Sequence, residues 1–273
     1  MKSIAYEAVY NQIIAEMDKG NIPWKKPWNC PPPQNAKTSR LYSGVNFFLL
    51  SFSNFADNRW VTYKQATDLG GKVKAGEKSK QIVFWNIMSF EEDSGKKKSI
   101  PLLKYFNVFN VEQVDGLNIE PLAKREKVLK AEEVIEGYKN KPKVQHIGNR
   151  ACYSPSTDVV SMPHMEHFNS ENEYYSVYFH ELIHSTGLEK RLNRKGVVNF
   201  DTFGTEQYSE EELVAEFGAA FLCSACGIDN TLQNSAAYIK GWREKFKSDP
   251  SIIVHAASKA QAAANYILNI ESE

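Results

Sequence analysis

Tyr174 to Gly187 reads Y-Y-S-V-Y-F-H-E-L-I-H-S-T-G, and within it His180, Glu181 and His184 form H-E-x-x-H. Positions four apart on a helix lie one turn above each other, so both imidazoles project from one face. That face offers two nitrogens to a single metal ion, and zinc is the usual occupant. Glu181, beside the first histidine, is placed to take a proton from water acidified by the ion as that water attacks a carbonyl carbon. Tyr175, Val177, Tyr178, Phe179, Leu182 and Ile183 surround the motif with apolar and aromatic side chains, which predicts a buried helix ending at Gly187. Two histidines and a glutamate are costly in such a helix unless partnered, and a metal is a natural partner. A chance five-residue match carrying ordinary polar histidines does not account for that context.

A catalytic zinc takes three protein ligands and keeps a further position for water. The extension H-E-x-x-H-x-x-G-x-x-H fails here, because its last position is Lys190. Ser209 to Cys226, S-E-E-E-L-V-A-E-F-G-A-A-F-L-C-S-A-C, supplies carboxylates on a second apolar helix, with Ser209 and Glu212 spaced as a capping box. Glu212 and Glu216 lie one turn apart. Glu212 is assigned as the third ligand and Glu216 as the carboxylate that hydrogen-bonds a ligand histidine, the swapped assignment being the rival. A purely structural reading leaves Glu212 as a cap and Glu216 solvated. His164 and His167, in the loop before the metal helix, are rivals to Glu212 as ligand, but their loop location favours a role at the surface or behind the ligands, and Cys223 and Cys226 are read as small core residues.

Hydrophobic residues make up 42% and charged residues 24% of the 273-residue chain, ample for a packed core and normal for a soluble protein. No apolar run approaches the ~20 residues of a membrane span. Ile4, Val9, Ile13, Ile14 and Met17 mark an amphipathic helix closing at Gly20 rather than a signal peptide. The four cysteines are sparse, which fits a reducing cytoplasm. The net charge of zero conceals an asymmetry: residues 1–110 hold 16 Lys and Arg against 9 Asp and Glu, and the remainder 17 against 24.

Aromatics interleave with cations in the basic half. Trp24, Lys25, Lys26 and Trp28 lie in P-W-K-K-P-W, Arg40 and Tyr42 in N-A-K-T-S-R-L-Y-S-G-V-N, and Lys72 and Lys74 in G-G-K-V-K-A-G-E-K. Cations neutralise phosphates and aromatic faces stack unpaired bases, so these eight residues are candidates for contacting single-stranded DNA. The bland alternative is a solvated basic face, with the loop tryptophans packing onto the domain. Trp60 and Trp85, in strand-like patterns, are expected in the core.

The residues resemble a known family. P-W-K-K-P-W, the N-x-x-x-x-R-x-Y-x-G-x-N pattern from Asn35 to Asn46, W-V-T-Y-K-Q-A and G-G-K-V-K-A-G-E-K are similar to the N-terminal domain of the ArdC family of antirestriction proteins. A-C-Y-S-P-S-T-D-V-V-S-M-P, the H-E-x-x-H helix, R-L-N-R and E-E-L-V-A-E-F-G-A-A-F resemble the metallopeptidase domain found with it. The resemblance implies a single-stranded-DNA-binding domain joined to a zincin peptidase fold, carried by mobile elements and protecting incoming DNA from restriction. Carried onto this chain, it implies His180 and His184 as ligands, Glu181 as general base and Glu212 as third ligand.

The expectation is therefore an α+β protein of two domains: residues 1–115 binding DNA, a linker over 116–124, and a zincin-like metallopeptidase domain over 125–273 acting on a protein substrate. The alternative is a DNA-coating protein whose metal site is structural. Within the second domain a helix is expected from Lys124 to Tyr138. A hairpin follows whose second strand, Val159 to Met162, is given the role of pairing with an extended substrate. Tyr153 is weighed as an oxyanion donor against a core role. Arg191 and Arg194 pin the loop after the metal helix, residues 199–208 form a connection over the cleft, and Ile252 to Ile270 form a closing helix.

Overall fold

The structure, a computed structural model, describes residues 4–22, 32–53, 55–91, 97–120, 130–198, 206–229 and 236–271. In the first half, helix α1 (Ile4–Asp18) precedes β1 (Gln34–Asn35), α2 (Val45–Ser51), β2 (Arg59–Thr62), α3 (Tyr63–Asp68) and β3 (Lys72–Val73). A long hairpin, β4 (Lys80–Glu91) and β5 (Lys97–Asn110), leads to β6 (Val114–Asp115). The sheet order β1-β2-β5-β4 leaves β4 at an edge. Thr62 closes a capping box with Gln65 that turns β2 directly into α3.

The second half contains α4 (Ala131–Gly137), β7 (Lys143–His146), β8 (Cys152–Ser154) and β9 (Val159–Met162), then α5 (Glu171–Thr186), α6 (Lys195–Val198), α7 (Glu206–Cys226), α8 (Ala236–Ser248) and α9 (Ser251–Leu268). The helix expected from Lys124 starts only at Ala131, because Lys130 is extended; residues 121–129 lie outside the described residues. Ser209 is not the start of α7, which is already helical at Glu206. In the three-stranded sheet β9 is central, parallel to β7 and antiparallel to β8.

The mixed α+β architecture is as expected, but the halves share one core. Val9 and Ile13 of α1, and Phe47 and Phe48 of α2, pack into the same apolar cluster as Phe217 and Phe221 of α7 and the alanine face of α9. The Phe48 ring lies 4.6 Å from Phe217 and 5.0 Å from Phe221 between centroids. Ala256, Ala260, Ala263 and Ala264 are buried on α9, and such small side chains bring helices close. Trp60 is buried as expected, whereas Trp85 is 48% exposed. Strand alternation is the same for both, but β5 pairs with β2 only over Val108–Asn110, and Trp85 sits on the part of the hairpin beyond that pairing.

Candidate metal centre

The N-terminus of α5 is fixed by Ser170, whose Oγ accepts from the Glu173 amide at 3.1 Å, and Glu171 and Glu173 complement the helix dipole in the first turn. Phe179, Leu182 and Ile183 are fully buried, which rotates His180, Glu181 and His184 towards a cleft. Helix α7 crosses α5 at Gly218: a Cβ there would lie 2.6 Å from Ile183 Cδ1. Gly218→Ala should gain helix propensity, yet it is expected to cost about 1–3 kcal/mol through overpacking. It should also weaken metal binding by pushing the carboxylates of α7 from the histidines. Denaturant unfolding and a metal competition titration check both effects, and an unchanged or raised stability counts against close packing at this crossing.

Three ligand atoms converge. His180 Nε2 and His184 Nε2 are 3.1 Å apart, and the two Glu212 oxygens lie 3.5 Å from them, one to each. Among the described residues this is the one group of three or more His, Cys, Asp or Glu able to hold a metal ion. Two imidazoles and a carboxylate suit zinc, and also harder divalent ions such as manganese. The fit is electrostatic as well as geometric. Burial pulls the His180 pKa down, but Glu212, Glu216 and Glu181 more than offset it and hold the ring protonated up to about 9. A cluster that retains a proton so strongly is one in which a cation is favoured.

Behind the ligands, Glu211 Oε1 lies 3.3 Å from His184 Nδ1. This is the hydrogen bond that orients a metal-binding imidazole. Glu216 was expected to hydrogen-bond one of the two ligand histidines, and His184 Nδ1 has Glu211 beside it. Glu216 sits buried on the same helix one turn beyond Glu212, on the side of His180, where its charge contributes to raising the His180 pKa. Glu211 is held by Arg194 through two bonds, Nε to Oε2 at 2.9 Å and Nη2 to Oε1 at 2.6 Å. Arg194 also donates to Thr186 Oγ1 at 2.6 Å and to the Ile183 carbonyl at 2.8 Å, locking the turn after α5. Gly187 ends α5 with an ordinary φ of −76°; its role is space, since a Cβ would meet Val197 Cγ2 at 2.4 Å. Burial raises the Glu211 pKa, but Arg194 and His184 bring it below the ordinary value.

The three converging ligands open onto a cleft of about 390 Å3, which Glu181 also lines. Its opposite wall runs from Arg150 through Tyr153 to Pro155, and so includes β8. Here the expectation is corrected: Val159–Met162 is flanked on both sides and has no edge to offer, whereas β8 is the edge strand beside the cleft. Tyr153 lines the cleft, but its hydroxyl donates to Asp158 Oδ1 at 3.0 Å, and burial together with Asp158 keeps it protonated. Asp158 anchors the turn between β8 and β9 to Arg191 at 2.8 Å and Lys190 at 2.7 Å. Burial acts to raise its pKa, yet Arg191, Lys190 and Tyr153 hold it at about 2. A depressed carboxyl stabilises the fold above its unfolded pKa of ~3.9 and loses that contribution as pH falls towards 2. Asp158→Asn is therefore expected to cost about 2 kcal/mol at neutral pH and almost nothing near pH 2. Urea midpoints of the two proteins across that range check it; a pH-independent difference excludes the charge as the cause.

His164 and His167 are exposed around a 3-10 turn, as expected, and Cys223 and Cys226 are buried. Of the DNA-contact candidates, Trp24, Lys25, Lys26 and Trp28 lie outside the described residues. Arg40, Lys72 and Lys74 are exposed, and Lys74 Nζ donates to the Glu112 carbonyl at 2.7 Å. Tyr42 is not available for stacking on a base: it is 7% exposed and packs with Leu50, Trp60, Ile82 and Val108. Its hydroxyl accepts from Asn35 Nδ2 at 3.2 Å. Of the connection over 199–208, residues 199–205 lie outside the described residues. Among the described residues no helix is long and apolar enough to cross a membrane.

Two family models match the chain: the N-terminal domain of anti-restriction factor ArdC over residues 3–109, and a zincin-like metallopeptidase over residues 130–259. Among solved structures, the antirestriction ArdC protein from R388 plasmid is 31% identical. In its metal-free form it superposes with a TM-score of 0.79 over 98% of this chain and 99% of that one. In its Mn(II)-bound form the TM-score is 0.78 over 97% of each. Two Escherichia coli proteins named DNA primase TraC are 32% identical over 98% and 100% of the chain, which spans only 20% and 28% of their length. An uncharacterized Sinorhizobium fredii protein, y4eC, is 31% identical over 96% of this chain and 91% of its own.

Proposed function

Since the chain belongs to the ArdC family of antirestriction proteins, we propose that it binds single-stranded DNA through its basic first half and hydrolyses amide bonds of a protein substrate at a zinc centre held by His180, His184 and Glu212. The observation that carries the reading is the convergence of those three ligands on an open cleft that also receives Glu181. A divalent ion bound there supplies a Lewis acid that lowers the pKa of water and polarises a carbonyl. The side chains do the rest. Glu181 takes a proton from the attacking water and returns it to the leaving nitrogen. Glu211, clamped by Arg194, keeps His184 in the tautomer that presents Nε2 to the ion. The free edge of β8 pairs with an extended peptide by main-chain hydrogen bonds.

An antirestriction protein of a mobile element meets its DNA and any DNA-bound protein together, so tethering to the same strand raises the effective concentration of substrate. Three ligands among the described residues, facing a cleft, favour this reading over a structural metal in a DNA-coating protein, which calls for a closed fourth position. The test is to incubate the zinc-loaded protein with a mixture of unfolded polypeptides, with and without single-stranded DNA, and to identify new amino termini by mass spectrometry. New termini that vanish on chelation and return with zinc support it. None under any metal, zinc or manganese, would leave the protein a DNA binder.

A further inference from the structure

A second cleft, of about 300 Å3, lies away from the metal centre, where the free edge of β4 faces α9 above the start of α2. Its walls come from both family regions. Asn46 at the start of α2 donates to the Val83 carbonyl at 2.7 Å and accepts from the Val83 amide at 2.8 Å, so a side chain stands in for a missing neighbour strand. That contact fixes the alternation of the ladder. Val83 and Tyr105 form a non-hydrogen-bonded pair, and two residues on, Trp85 and Leu103 form another. The Trp85 N–H and C=O consequently point outward from the β4 edge into the cleft. The indole of Trp85 is half-exposed at the rim, and Val83, Leu103 and Val254 make the floor apolar.

From α9, Gln261 and Asn265 face the same space. Gln261 Nε2 donates to Asn265 Oδ1 at 2.9 Å, and Gln261 Oε1 accepts from the Gly44 amide at 3.1 Å. These bonds fix both amide groups, and each side chain keeps a further N–H donor in the lining of the cleft. Among the described residues, no Asp, Glu, Lys or Arg lines the cleft. A phosphate or carboxylate has no countercharge there. The chemistry fits a flat, neutral heterocycle that carries donors and acceptors on its edge and a π-face for an indole.

We propose that this cleft receives one unstacked nucleobase of a bound DNA strand, laid against Trp85 and hydrogen-bonded by the Trp85 backbone, Gln261 and Asn265. The proposal rests on the single-stranded-DNA reading above and adds to it a place and a mode. The phosphates stay outside the cleft, whose lining holds no cation among the described residues. A base so held bridges the edge of β4 and helix α9.

The test uses the full chain and two fluorescent oligonucleotides of equal length, one of thymidines and one abasic, titrated by anisotropy. The wild-type protein is expected to bind the thymidine strand about tenfold more tightly, the scale of one stacked base. Trp85→Ala should erase that preference while leaving abasic binding unchanged. Ser258→Trp fills the cleft from an exposed position of α9, leaves the core intact, and should do the same. If both variants keep the full preference, the base is held elsewhere and the proposal fails while DNA binding stands. Equal wild-type affinity for the two strands overturns it as well. Binding to neither strand removes the DNA-binding reading itself, and this one with it.

Discussion

Glu181→Gln is expected to reduce peptide hydrolysis by roughly two to four orders of magnitude while the protein still loads one equivalent of metal. The reason is positional. Glu181 lies on the wall of the metal cleft, 9% exposed, and is not one of the three converging ligands. Glutamine keeps the shape of the side chain but has no carboxylate to take a proton. Turnover per bound metal is the quantity to compare, with metal content measured on the same sample. A variant as active as the wild type would falsify the general-base assignment. Loss of metal together with activity would mean that Glu181 shapes the site rather than moving protons.

Arg194→Met is the second large effect, and it is one of stability as much as of chemistry. Arg194 is 8% exposed and gives Glu211 two of its bonds, so removing it strands a buried carboxylate at a cost of about 3–5 kcal/mol. His184 then loses a fixed partner at Nδ1, and metal affinity should drop by about 10–100-fold. The double variant Arg194→Met with Glu211→Leu separates the two consequences. Replacing both charges by apolar groups should restore most of the stability, while metal affinity stays low because no carboxylate orients His184. Chemical denaturation of the chelated proteins and competition with a zinc indicator measure these independently. Recovery of metal affinity in the double variant would remove Glu211 from the orienting role.

The parts of this centre that were legible in the sequence are those set by spacing within one element. His180 and His184 are four apart on one helix, and Glu212 follows once a second apolar helix with carboxylates is sought. Glu211 was not legible, because its role is conferred by Arg194, which reaches it through the turn after α5 rather than by any helical period. Between Glu211 and Glu216, sequence offers no way to see which side of α7 meets His184; the crossing at Gly218 decides it. Alternation likewise predicted the strand Val159–Met162 but not that it is central, since an edge and a centre share the same period. The Asn35–Asn46 pattern is instructive in another way. Read as a DNA-facing stretch, it largely builds structure: Asn35 holds the turn through the amides of Lys37 and Thr38, Tyr42 fills the core, and Asn46 pairs with the edge of β4 at Val83.

The packing of Phe47 and Phe48 against Phe217 and Phe221 has a consequence for descent. Two regions that meet through loose surfaces can be exchanged between relatives by recombination in the segment that joins them. Here such a crossover unites aromatic layers that were selected in different backgrounds, and the mismatch falls in the middle of the core beside the helix that bears Glu211 and Glu212. Hybrids of that kind are expected to be less stable than either parent. The pair of regions is therefore expected to pass on as one piece, with a change in α2 tolerated best alongside an answering change in α7.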